Sequence, residues 1–282
     1  MASANLTGLT DDFTGNSDVQ SCDVQSGYCL DANKVQTALL LNAAELGILP
    51  AFRQIQPRFD VHVFECLAST NTQLWRMIAA GAGAGTVLIA QRQSCGRGQR
   101  GRVWQSEPGG LYLSLALEPD WSVTNGAQLT YLSAWGIATA MNNLGLPIQI
   151  KWPNDLFFEG KKLGGILTET KLAGATGTDG IPGDSPHIKQ AVIGVGINWH
   201  NPVPETGITL MKILERVPEG TAHHTVDCLE GLAAVALKGI LQGVFFYQQV
   251  GRQVFMKRYH DLLTPASKIA SLKELTDRNA CG

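Results

Sequence analysis

Hydrophobic positions along the middle of the chain alternate between a helical period and a period of two, and the switches between them outline the elements. Asp31 opens the run DANKVQTALLLNAAEL, where Val35, Leu39 and Leu46 fall on one face and predict a helix ending at Gly47 and Pro50. VHVFEC (61–66) reads as a strand. Ser69 and Thr70 are good caps for a helix whose stripe is Leu74, Trp75 and Ile78 and whose stop is the Gly-Ala run from Gly81. TVLIA (86–90) predicts a buried strand, LYLSLAL (111–117) an alternating, half-buried one. Residues 127–145 return to helical spacing through Leu129, Leu132, Ile137, Met141 and Leu144, and stop at Gly145 and Pro147. PIQIKW (147–152), KLGGILTET (162–170) and QAVIGVGIN (190–198) are three further strands. The last two are joined by AGATGTDGIPGDSPH, whose composition predicts a mobile hairpin loop. A helical pattern over 225–263 follows, with Leu229, Leu232, Ala236, Ile240 and Val244 on its buried face.

Helices leading into clustered hairpin strands and then into helices fit an α+β fold, a mixed, mainly antiparallel sheet flanked by helices, better than repeating βαβ units. The expected domain spans 31–263. Residues 1–30 are polar with few core-forming side chains and are expected to be a disordered tail; 264–282 read as a second polar tail.

Composition narrows the function classes. Only 16% of the 282 residues are charged, 44% are hydrophobic and 31 are Gly, so a packed core with tight turns dominates. Lys and Arg total 22 against 24 Asp and Glu, a formal net charge of −2, which supplies no global attraction to nucleic acid or an anionic membrane. No apolar stretch is expected to approach the roughly 20 residues that span a bilayer, since the longest candidates are interrupted by polar residues or Gly, and the polar, acidic first thirty residues do not resemble a secretory signal. The six cysteines show no metal-ligand spacing and read as reduced thiols, which points to the cytoplasm.

In so charge-poor a chain, QRQSCGRGQRGRVWQ (91–105) stands out: Arg92, Arg97, Arg100 and Arg102 fall within eleven positions. Gly96, Gly98 and Gly101 spell G-x-G-x-x-G, but no helix start follows, so a dinucleotide site is rejected. What remains is a flexible loop whose guanidinium groups offer forked donors to phosphate or carboxylate oxygens, against the plainer reading of a solvated basic loop. KWPND (151–155) follows a strand, and Pro153, Asn154 and Asp155 alone could make a turn. Lys151 at the end of an apolar strand is expected to be buried and therefore to meet an anion, with Lys162 reaching the same anion across a hairpin. Gly164, Gly165, Gly194 and Gly196 put small residues in strands, marking close approach by a ligand or by a packed neighbour.

STN (69–71), Q-x-x-GRG-x-RGR (93–102), KWPND (151–155), K-x-GGIL-x-E (162–169) and GVGIN (194–198), in this order, closely resemble the catalytic domain of biotin protein ligases over roughly residues 60–260. The resemblance implies a fold like class II aminoacyl-tRNA synthetases and a two-step reaction. Biotin and MgATP form biotinyl-5′-AMP, and a lysine of the biotin carboxyl carrier protein of acetyl-CoA carboxylase then takes the biotinyl group. It further implies that Ser69, Thr70, Asn71 and Gln93 bind biotin, with Arg97, Gly98 and Gln99 folding over the acyl-adenylate. Lys151 and Lys162 would contact carboxylate and phosphates, with Lys151, Arg97 and Lys162 as the catalytic set. Arg100, Arg102, Trp104, Asn154, Asp155 and Asn198 would face ATP, with Mg²⁺ near Asn154 and Asp155 and no dedicated metal site.

Gln99 stands where many bacterial members of that family carry Arg, and weaker retention of the intermediate is expected from it. After YHDLL the sequence shows no strand pattern for the small β-barrel the family usually carries, and the N-terminal stretch reads as neither a helix-turn-helix nor a DNA-binding segment. The rival readings are a lipoate ligase or octanoyltransferase on the same scaffold, and a non-catalytic biotin-binding protein.

Overall fold

The computed structural model describes residues 30–119, 121–122, 126–173, 187–218 and 223–269. The expected tail 1–29, the loop 174–186 and most of the second tail, 270–282, lie outside the described residues.

The elements run α1 (Ala32–Leu39), β1 (Asp60–Leu67), α2 (Thr70–Ala79), β2 (Thr86–Gln93), β3 (Leu111–Leu117), β4 (Trp121–Ser122), α3 (Gly126–Asn143), β5 (Gln149–Lys151), β6 (Asp155–Phe158), β7 (Lys161–Ala173), β8 (His187–Ile197), α4 (Leu210–Leu214) and α5 (Leu229–Asp261). Eight strands form one sheet in the order β1-β2-β3-β8-β7-β6-β5, with β4 paired to β8 off this path. Only β1–β2 is parallel, so the expected mixed, mainly antiparallel α+β architecture is what the chain adopts.

Side chains alternate across a strand, so directly paired residues share a face. Ser114, Gly194 and Leu167 are paired in a row across β3, β8 and β7, and Tyr112, Gly196 and Gly165 form the next such row. The intervening Leu113, Ile166, Ile193 and Val195 belong to the main core, where α1, α3 and α5 cover the opposite face. A smaller cluster of Leu74, Ile78, Leu88, Ala116 and Val192 seats α2 on the glycine-bearing face. α2 therefore covers only part of that face.

α3 and α5 approach so closely that a Cβ on Gly136 would overlap the backbone of Gly239. Gln242, 1% exposed, locks that crossing, its Nε2 donating to Gly136 O at 2.7 Å and its Oε1 accepting from Leu49 N at 3.1 Å. α5 is long and apolar enough to cross a membrane, which corrects the expectation that no stretch approaches that length. Its apolar window is 72% buried within this fold, where it acts as the core helix.

Four further expectations need correcting. α1 ends at Leu39 and not at Gly47, because the Asn42 side chain accepts from Ala44 N at 2.9 Å and turns the chain, leaving Leu40 exposed while Leu46 still reaches the core. β3 is buried on both faces through Ala116, since it is a central strand between helical layers. KWPND is a turn that runs directly into a strand, β6, absent from the sequence reading. The second tail does not begin at 264 as a free end. Thr264 N donates to Ile150 O at 2.9 Å, and the buried Ser267 accepts from Trp152 N at 3.0 Å through its hydroxyl.

Candidate active site

The uncovered part of the glycine-bearing face holds a cavity of about 360 Å³, within the range of small-molecule sites. Its lining brings together Ser69, Thr70, Asn71, Gln93, Arg97, Gly98, Gln99, Arg100, Arg102, Trp104, Lys151, Asn154, Asp155 and Lys162, residues spread over more than ninety positions of sequence.

One wall is a continuous polar network at the start of α2. Ser69 caps the helix, its hydroxyl accepting from Thr72 N. Gln93 Oε1 accepts from Thr70 N at 2.8 Å and from Thr70 Oγ1 at 3.2 Å, while Gln93 Nε2 donates to Ser106 Oγ at 2.8 Å. Ser114, fully buried on β3, lies with its hydroxyl 2.7 Å from Thr70 Oγ1 and 2.6 Å from Asn71 Oδ1. Gly194 is glycine for a physical reason: a Cβ there would overlap Asn71 Oδ1. Asn71 Nδ2 in turn donates to Glu169 Oε2 at 2.9 Å.

The opposite rim is the arginine segment. It is not an open loop but a folded-back hairpin, with bridges between Gln93 and Ser106 and between Arg97 and Val103, and with Gly98 N donating to Arg102 O at 2.7 Å. Its tip turns through Arg100 and Gly101, both at positive φ (57° and 73°), a conformation that Gly101 adopts at no steric cost. Arg97, Arg100 and Arg102 line the cavity; Arg92, back on β2, does not. Arg97 reaches across to β7 and pairs with Glu169 at 2.8 and 3.4 Å, a two-pronged contact.

The floor is built by β5–β7. Lys162 Nζ lies 2.8 Å from Asp155 Oδ1 and 5.1 Å from the Trp104 ring centroid. Trp104 rests on Gly196, where a Cβ would sit 2.6 Å from the indole. The buried Trp104 Nε1 has no hydrogen-bond partner among the described residues. Gly164 meets the backbone of Gly196. The strand glycines therefore divide between the two readings left open: Gly194 and Gly196 admit cavity side chains, and Gly164 admits a neighbouring strand.

Lys151 contradicts its expectation. It is exposed, not buried, because β5 is the sheet edge, and its Nζ stands 5.1 Å from the Phe157 ring centroid; it nonetheless lines the cavity. Asn154 lines the cavity too, yet its amide donates to Ile166 O at 2.9 Å and so ties the turn to β7. Asn198 does not line the cavity. It is buried at the end of β8, donating to Lys162 O at 3.4 Å and accepting from Asn201 at 3.2 Å, a contact that aligns strand ends.

The 151–155 turn is braced from behind: the Tyr259 hydroxyl donates to Pro153 O at 2.7 Å. Burial, aided by nearby Tyr131 and Asp155, pushes the Tyr259 phenol well above its ordinary pKa, so it stays a donor. Glu169, Ser114, Ser106 and Tyr259 had no role in the sequence reading. Glu169 alone was visible there, as the last letter of K-x-GGIL-x-E.

Known proteins resemble this chain in sequence and fold. Residues 63–183 match the Biotin/lipoate A/B protein ligase family. The bifunctional ligase/repressor BirA of Bacillus subtilis is 35% identical over 202 residues, covering 71% of this chain and 54% of that protein. The biotin–[acetyl-CoA-carboxylase] ligase of Paracoccus denitrificans is 30% identical over 172 residues, 60% of this chain and 66% of that protein. The structure of the biotin protein ligase of Aquifex aeolicus in complex with biotin and ATP shares the fold, with a TM-score of 0.54, 24% identity and coverage of 72% of this chain and 78% of that one. The chain thus spans about half the length of its Bacillus relative. With the expected motifs assembled around one cavity on the expected sheet, the chain carries a domain of the Biotin/lipoate A/B protein ligase family over residues 63–183.

Proposed function

We propose that this chain is a biotin–protein ligase: it activates biotin with MgATP as biotinyl-5′-AMP and passes the biotinyl group to a lysine of a biotin carboxyl carrier protein, that of acetyl-CoA carboxylase, in the cytoplasm. The observation that carries the proposal is the meeting of Arg97, Arg100, Arg102, Lys151 and Lys162 around one cavity whose other wall is the neutral network of Ser69, Thr70, Asn71 and Gln93. Relatives named as ligases of biotin support the choice of substrate.

The chemistry asks for this division. In the first step a biotin carboxylate oxygen attacks the α-phosphorus of ATP and pyrophosphate leaves. Two anions must be brought together, and cations on the rim and floor lower that repulsion and stabilise the charge passing to pyrophosphate. Arg97 and Lys162 serve the carboxylate and the α-phosphate, Lys151, Arg100 and Arg102 the outer phosphates, with Trp104, Asn154 and Asp155 at the nucleotide side. The polar wall, whose donors and acceptors are fixed in direction, suits the uncharged ureido ring. Mg²⁺ enters with ATP as part of the substrate; among the described residues no group of three metal-ligating side chains is assembled. In the second step the carrier amine attacks the acyl carbon and AMP leaves. The hairpin over the cavity excludes water that would hydrolyse the mixed anhydride. Gln99, on that hairpin, offers the intermediate a neutral amide where Arg would offer a charged fork.

The test is to incubate the full chain with biotin, MgATP and a carrier domain and to weigh the carrier. A gain of one biotinyl group that requires both small substrates is expected. An unmodified carrier, or modification with lipoate in place of biotin, overturns the proposal.

A further inference from the structure

The polar wall and the arginine hairpin are one hydrogen-bonded circuit, and Glu169 closes it. Gln93 and Ser106 stand at the base of the hairpin and are bonded to each other at 2.8 Å. From Gln93 the chain of contacts runs through Thr70, Ser114 and Asn71 to Glu169, and from Glu169 back to Arg97 on the same hairpin. Both ends of the wall therefore lie on the element that covers the cavity.

A carboxylate only accepts hydrogen bonds. Facing Glu169, the Asn71 amide can present only its Nδ2, which turns Oδ1 towards Ser114 and into the space that Gly194 leaves for it. Asn71 is 3% exposed, so a flipped amide would set its Oδ1 against the Glu169 carboxylate, acceptor against acceptor, inside the fold. The other side of the same carboxylate holds the guanidinium of Arg97, which is half exposed and has no other ion-pair partner among the described residues. Removing the charge at 169 thus frees the arginine, and removing the acceptor also leaves the amide with only its longer contact, from Nδ2 to Leu167 O at 3.5 Å.

Resting on the ligase reading above, we infer that Glu169 is a positioning residue that couples the two halves of the site: it sets the Asn71 carboxamide for biotin and seats Arg97 so that the hairpin covers the acyl-adenylate. The two limbs separate by substitution. Glu169→Gln keeps an acceptor for Asn71 but turns an NH₂ group and no charge towards Arg97; Glu169→Ala removes both.

The experiment measures biotin affinity by calorimetry and the dissociation rate of preformed biotinyl-5′-AMP in wild type, Glu169→Gln, Glu169→Ala, Arg97→Ala and the Arg97→Ala/Glu169→Gln pair. Loss of a charge-assisted contact is expected to raise the dissociation rate about tenfold in Glu169→Gln, with biotin affinity within about twofold of wild type. Glu169→Ala is expected to raise that rate and to weaken biotin binding as well. In the Arg97→Ala background Glu169→Gln should add nothing, because residues acting through one contact are non-additive. An unchanged off-rate in Glu169→Gln, additivity with Arg97→Ala, or unweakened biotin binding in Glu169→Ala overturns the inference. Failure of the wild-type chain itself to bind biotin or form the adenylate would instead overturn the ligase reading.

Discussion

Lys162 and Asp155 face one another across the β6–β7 hairpin with Nζ 2.8 Å from Oδ1, and the indole of Trp104 lies over the same ammonium. The lysine is thereby held at the floor of the cavity before any substrate arrives. Lys151, exposed on the edge strand, stands beside the Phe157 ring and has no ion-pair partner among the described residues.

This contrast ranks the two lysines. Lys162→Ala removes a prepositioned cation and leaves the partly buried Asp155 without its partner, so adenylate formation should fall about 10²–10³-fold. Lys151→Ala should lower it less. Biotin-dependent exchange of pyrophosphate into ATP measures both, and a larger loss at Lys151 would reverse the ranking.

Gly194→Ala is expected to damage binding more than folding. Its methyl overlaps Asn71 Oδ1, and accommodating one carbon in a packed site costs about 1–3 kcal/mol. The displaced group is the polar wall itself. Calorimetry should show biotin affinity reduced by roughly tenfold or more, with the far-ultraviolet dichroism unchanged; wild-type affinity would mean that Asn71 does not contact biotin.

Tyr259→Phe tests the brace behind the 151–155 turn. The substitution keeps the ring packing on Phe255 and Tyr131 but strips Pro153 O of its donor, a loss of about 1–3 kcal/mol on urea unfolding. Adenylation should fall in the same variant through misplacement of Lys151 and Asp155, whereas an equal stability loss placed at the α3–α5 crossing should spare it.

Lys238 predicts a pH dependence. It is 6% exposed on α5, and burial holds its ammonium below the ordinary lysine pKa. Between the lowered folded value and the ordinary value the unfolded chain binds more protons, so stability rises with pH through that window; below it the buried charge counts fully against folding. Lys238→Met should therefore raise the melting temperature at pH 7 and flatten the rise in stability towards alkaline pH. An unchanged slope would show that the ammonium reaches solvent in the folded state.

Much of this site was legible in sequence because its motifs are local. Ser69 caps α2 from a position that any Ser-Thr-Asn before a helical stripe predicts, and the arginine segment announces itself in a chain with 22 basic residues. Lys151 was misread because burial was inferred from its apolar neighbours, whereas exposure depends on whether a strand lies at the edge or the centre of the sheet. Asn198 stands outside the cavity lining, and GVGIN gives no sign of where β8 ends relative to the cavity. Glu169 was overlooked because its meaning resides in Asn71 and Arg97, respectively 98 and 72 positions away.

By itself the sequence determined the element types, the α+β class and the inventory of cations, since periodicity, capping and composition act over a few residues. Strand order, the division of glycines between cavity and packing, and the pairing of each cation with its carboxylate were decided only in the tertiary structure. The reason is geometric: these depend on which distant segments the sheet register sets opposite each other, as it sets Leu167 opposite Gly194, and Gly165 opposite Gly196.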